Sequence, residues 1–277
     1  MMRLSALTVA CATLLIGCGS DSDTDNSWSN QQLFDTIKCS NLRLGKPSQP
    51  DSYCTANSGY AWGDWDHEHG YCKGQYCFED KSPAPEHPGL TRFIQGELIP
   101  VYYLGSEDPR FAKAMDRAEA IVGYPMFDRS GGVIELELGE WWEPIDYSHL
   151  PTEWGFIWSQ GTSPGNCSSG TVSKGPNMSN LVSYLADRNQ GLLRNVPDEF
   201  TWINIDSGAE IPGEGCTIIA DDEVTLHELG HALGMGNHFQ GFGDGAAFDA
   251  NAERVLRTMY SPHNPPGQPF DALYPED

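Results

Sequence analysis

Apolar and polar positions divide the 277-residue chain into stretches of different character. Residues 4–16 are mostly apolar behind a short basic head, Met1-Met2-Arg3; a run this short suits a signal peptide and cannot span a membrane. Ser, Asp and Asn dominate residues 19–32, which read as a disordered tether with too little apolar content to fold. Residues 33–80 show weak periodicity around Cys39, Cys54, Cys72 and Cys77, with Trp62 and Trp65, and read as a small loop-rich module. Pro83, Pro85 and Pro88 mark the linker that closes it.

From about residue 96 the pattern becomes regular. Residues 98–104, Leu-Ile-Pro-Val-Tyr-Tyr-Leu, are rich in β-formers and predict a strand, with Pro100 at its start or on an edge. Asp108-Pro109 then caps a helix over about 110–122, with Phe111, Met115, Ala118 and Ile121 on one face. Residues 132–138 alternate Val133, Glu135 and Glu137 with Ile134, Leu136 and Leu138, which predicts a half-buried strand. Trp141, Trp142, Trp154 and Trp158 read as packing residues, and Gly-rich 161–178 as a long loop. A helix is expected over 179–193 with Ser179 as N-cap, and a strand over 200–205. Asp221 and Asp222 open a further helix that contains His227 and His231, where acidic residues suit the helix dipole.

Charge and cysteine usage narrow the function classes. Sixteen Lys and Arg stand against 39 Asp and Glu, a net charge of −23 that repels nucleic acid and anionic lipid. Leu15-Ile16-Gly17-Cys18 resembles the lipobox of bacterial lipoproteins. That resemblance implies removal of residues 1–17, a lipid on Cys18 and, with Gly19 following, an outer-membrane or cell-surface location. Such a chain meets the membrane only through its anchor; the alternative is an ordinary signal peptide and a periplasmic or secreted protein. Beyond Cys18, six cysteines remain, and an exported chain matures where disulfides persist. Locality favours Cys39–Cys54, Cys72–Cys77 and Cys167–Cys216. Asp66-His67-Glu68-His69 with Cys72 and Cys77 is a rival second zinc site, ranked behind a disulfide.

The chemistry is concentrated in residues 227–238, His-Glu-Leu-Gly-His-Ala-Leu-Gly-Met-Gly-Asn-His. Two histidines four apart on a helix stand about 40° from each other around its axis, so both imidazoles can face one ion. Glu228 between them is placed to take a proton from a water at that ion. Gly234 and Gly236 let the chain turn out of the helix, and a third ligand is expected from that turn.

His227-Glu228-x-x-His231-x-x-Gly234, with Met259 downstream in Thr-Met-Tyr-Ser-Pro, resembles the metzincin clan of zinc endopeptidases. The resemblance implies an α+β fold, a mixed twisted sheet with two main helices and the zinc helix at the cleft. It also implies a single catalytic Zn²⁺, with Glu228 as general base and Met259 as an apolar floor. The clan's third histidine falls where this chain has Asn237. His238 comes one residue late, and a bulge at Gly236 would bring it in; imidazole is the better ligand. Asn237, and His263 beyond the methionine turn, stay open as alternatives. Tyr260 is given no catalytic role.

The expected organisation is therefore a signal peptide (1–17), a tether (18–32), a Cys-rich module with linker (33–92) and a catalytic domain (93–277). Calcium at the loop carrying Asp244 is left open. The expected substrate is a protein or peptide. Two rivals are a lipid-anchored binding module without activity and a zinc amidase or deacetylase acting on cell-wall or glycan material.

Overall fold

The computed structural model describes residues 28–41, 46–47, 54–55, 71–73, 76–78, 89–137, 145–160, 170–172, 186–187, 191–193, 199–205 and 220–277. Six strands form its main sheet: β1 (Ile99–Leu104), β2 (Phe127–Asp128), β3 (Val133–Ile134), β4 (Trp154–Gln160), β5 (Gly170–Val172) and β6 (Glu199–Ile205). Their order is β2-β1-β4-β6-β5, with β3 beside the second half of β1. Neighbours run parallel except β5, which lies antiparallel to β6 along one edge. Parallel strands bury both faces, and β4 does so from Gly155 to Ser159. With no polar face to alternate, its sequence Trp-Gly-Phe-Ile-Trp-Ser-Gln carries no period-2 signal, and the expectation of mere packing tryptophans missed the strand.

The described residues include four α-helices: α1 (Asn30–Asn41), α2 (Pro109–Val122), α3 (Asp222–Ala232) and α4 (Ala250–Met259). The Asp108 carboxylate caps α2, with Pro109 in its first turn, and Gly123 ends it at φ 84°. Asp221 caps α3 by accepting from the Val224 amide at 2.8 Å. Asp249 caps α4, whose Ala252, Val255, Leu256 and Met259 recur at helical spacing and are all buried. Arg110 donates to the Ala220 carbonyl and Lys113 pairs with Asp222 at 2.8 Å, both linking α2 to the start of α3. Arg117 pairs with Glu253 and links α2 to α4. One face of the sheet (Val101, Tyr103, Phe156, Trp158, Ile203 and Ile205) shares a core with all four helices. The other face, with Tyr102, Ile157, Phe200 and Trp202, is covered by Tyr147 and its neighbours.

The fold is thus mixed α/β, as an α+β reading requires, with three departures from expectation. The first is α1, which stands where the tether and a separate module were expected. Leu33 and Ile37 are fully buried in the main core, and Trp28 meets Phe239 edge-on at 6.0 Å. Half of the residues α1 buries are polar (Thr36, Ser40 and Asn41), so its apolar period is faint. The second is residues 186–193. Ala186–Asp187 pairs antiparallel with Leu192–Leu193, and Gly191 at φ 67° turns the chain where a helix was expected. The third is the strand expected over 132–138, of which, among the described residues, only Val133–Ile134 pairs.

Cys39 is buried and disulfide-bonded, with its partner outside the residues whose side chains are described. The expected pairings Cys72–Cys77 and Cys167–Cys216, the rival site at 66–77, and the signal peptide with Cys18 lie outside them too. Cys72 and Cys77 are Cα partners across a two-stranded antiparallel pair.

Candidate metal centre

Helix α3 ends in a reversal that sends the chain back past its own last turn. The Met235 amide donates to the Gly230 carbonyl and the Gly234 amide to that of His231, both at 3.0 Å. This is the Schellman pairing, with Gly234 at φ 99° in the left-handed position. Of the two glycines expected to turn the chain out of the helix, Gly234 makes the reversal. Four residues on, His238 returns to the helix.

The three imidazoles converge. His238 Nε2 lies 3.2 Å from His227 Nε2 and 3.2 Å from His231 Nε2. On the far side of two rings, His227 Nδ1 donates to the Ala247 carbonyl at 2.9 Å and His231 Nδ1 to that of Met235 at 2.7 Å. A carbonyl only accepts, so each Nδ1 carries the proton and each Nε2 turns a lone pair to the centre. Backbone partners of this kind fix tautomer and ring orientation in metal-binding histidines. Tetrahedral coordination at about 2.0–2.1 Å sets ligand nitrogens about 3.3 Å apart, and the observed spacing of His238 from the other two fits. Among the described residues this is the one set of three metal-ligating side chains close enough to hold an ion.

Glycines make room for the cluster. A Cβ on Gly230 would come within 2.8 Å of Phe242, whose ring lies 4.2 Å from that of His227 and 4.9 Å from that of His231. A Cβ on Gly243 would strike the His238 ring at 2.6 Å. Phe242 thus walls one side of the centre, and no periodic signal in its Gly-rich surroundings marked it. His227 is buried, His231 half-buried and His238 exposed, so the centre opens on the His238 side. Glu228 is 7% exposed on the same helix.

Burial, and then the nearby charge of His238, hold the His227 pKa down at about 4, against the raising effect of its bond to Ala247. The imidazole is therefore neutral and ready for a metal throughout the physiological range. Without metal, the unfolded chain binds a proton at this histidine between about pH 6.5 and 4 that the folded chain does not. Its contribution is fully present above pH 6.5 and falls by about 3 kcal/mol as the pH drops to 4. Urea titration of chelator-treated protein at pH 7, 6 and 5 checks this. The stability gap between wild type and His227→Ala should shrink as the pH falls, and a constant gap would count against it.

The remaining candidates lie elsewhere. Asn237 donates its backbone amide to the Ser40 carbonyl at 3.2 Å and accepts from Ser40 Oγ at its own carbonyl, so its main chain is tied to α1. His263 packs its ring 4.7 Å from Tyr274 and is outside the cluster. Asp244 joins no metal-ligating group among the described residues, which leaves the calcium expectation without support. Met259 is the last residue of α4, fully buried in the main core. Tyr260 donates its hydroxyl to the Leu233 carbonyl at 2.9 Å, a structural tie between the end of α4 and the end of α3.

No family model matches the chain, and no curated protein or solved structure does either. Function is therefore argued from the site itself.

Proposed function

We propose that the protein is a zinc-dependent endopeptidase of the metzincin type, exported and anchored by lipid on Cys18. The observation that carries this is the convergence of His227, His231 and His238 through Nε2, with Glu228 beside His227 on the same helix. Three imidazole ligands favour zinc over the hard cations, which take oxygen ligands. The mixed sheet and the buried Met259 after α3 agree with the same reading.

Zinc bound there supplies Lewis acidity, which makes water nucleophilic near neutral pH and polarises a carbonyl. The chain's part is to hold three lone pairs in place and to move a proton. Glu228 takes it at a carboxylate oxygen as water attacks the peptide carbon, then returns it to the leaving amine. Phe242 and the buried side of α3 keep bulk water from the rear of the centre, and the open His238 side admits substrate.

Purified protein is expected to carry one zinc per chain and to cleave casein or a peptide library. A strong chelator should abolish cleavage, and added zinc should restore it. A folded chain that binds zinc one-to-one but cleaves neither substrate would replace this reading with the non-catalytic binding module.

A further inference from the structure

We propose that the C-terminal turn of α1 is part of the metal centre, with Ser40 and Asn41 as positioning residues that hold His238 within reach of the other two imidazoles. This role rests on the three histidines holding a metal.

His238 is the exposed ligand, carried by irregular chain one residue out of the spacing its motif sets. A segment of this kind opens easily unless its backbone groups are engaged. Here they are, and chiefly by α1. The Ser40 carbonyl accepts from the amides of Gly236 at 3.1 Å and Asn237 at 3.2 Å. Ser40 Oγ donates to the Asn237 carbonyl at 2.7 Å, immediately before His238. Asn41 Nδ2 donates to the Gly234 carbonyl at 2.9 Å, at the reversal itself. The Met235 carbonyl between them takes the His231 Nδ1 proton, so the same segment also orients the second ligand.

The clamp is itself fixed. Asn41 grips residue 91 at two points, donating to the Thr91 carbonyl and accepting from its amide, both at 2.8 Å. At the other end of α1, Arg254 from α4 donates to the Trp28 carbonyl at 2.7 Å and to Asn30 Oδ1 at 3.3 Å. Ser40 is 1% exposed, and among the described residues its hydroxyl bonds the ligand segment and not its own helix. The extra residue before His238 lengthens the connection, and a second helix holds what α3 no longer holds.

The test is a zinc titration of the full chain against a competing chromophoric chelator. Ser40→Ala and the isosteric Asn41→Asp are each made in the wild type and in His238→Ala. In the wild type, each is expected to raise the zinc dissociation constant about 10–100-fold, the range for outer partners of metal ligands. In His238→Ala the same changes should shift it less than about 3-fold, since the ligand they position is gone. Circular dichroism in chelator is read first, and should one variant fail to fold, the other decides. Unchanged affinity in folded Ser40→Ala overturns the proposal and leaves the metal reading intact. Equal weakening in both backgrounds also overturns it, reducing Ser40 and Asn41 to packing. A folded wild type that binds no zinc overturns the metal reading, and this role with it.

Discussion

Glu228→Gln is expected to bind zinc as tightly as the wild type and to cleave peptides about 10²–10⁴-fold more slowly, the usual contribution of a positioned proton-transfer group. On the proposed reading the metal is held by Nε2 of His227, His231 and His238, so the substitution removes no ligand. Glutamine has the shape of glutamate, which matters at a side chain only 7% exposed. What it lacks is a carboxylate that can take a proton and give it back. Metal content, melting temperature and kcat should therefore separate, with the first two holding and the third collapsing. Loss of zinc in this variant would make Glu228 part of the metal's support. Cleavage at the wild-type rate would remove it from the base role altogether.

That separation could be designed from sequence because the motif is local. Four residues of helix fix the relation of His227 to His231, and the caps and apolar faces around α2 and α3 are written in the chain near them. The third ligand is another matter. His238 was preferred over Asn237 and His263 on ligand chemistry, and the structure brings His238 to the cluster. The reversal at Gly234 was legible from its glycine. What holds the returning segment was out of reach, because the grip comes from Ser40 and Asn41, nearly 200 residues away in the chain. Polar residues that act on distant backbone leave no period to read. β4 was missed because burial on both faces erases alternation. α4 is different: Asp249 followed by Ala252, Val255, Leu256 and Met259 is a capped amphipathic pattern, legible but overlooked beside the methionine it delivers.

Arg92→Met is expected to lower stability by about 3–5 kcal/mol. Arg92 lies in the stretch taken as linker, yet it is 2% exposed. Its Nη1 donates to the carbonyls of Met259, Ser261 and Asn264 at 2.9–3.0 Å, Nη2 to the Tyr124 hydroxyl at 3.0 Å, and Nε to the Phe93 carbonyl at 3.1 Å. The guanidinium also sits 4.8 Å over the Tyr260 ring. Carbonyls left open where α4 ends thus find their donors in one planar fork. Methionine fills much of the volume and supplies none of the donors, so the carbonyls of Phe93, Met259 and Asn264 lose theirs at about 1–3 kcal/mol each, while that of Ser261 keeps the Asn264 amide. The loss is partly offset by no longer burying a charge. Arg92→Lys should fall between, since an ammonium keeps the charge but not the fork. Urea unfolding of the three proteins in chelator measures this, and a Tm about 10 °C lower for Arg92→Met would accompany it. The consequence for the centre follows through Tyr260, whose hydroxyl holds the Leu233 carbonyl where α3 gives way to the segment carrying His238. If instead the urea midpoint of Arg92→Met matches the wild type, the stranded carbonyls have found water, and the turn after Met259 holds its place without the arginine.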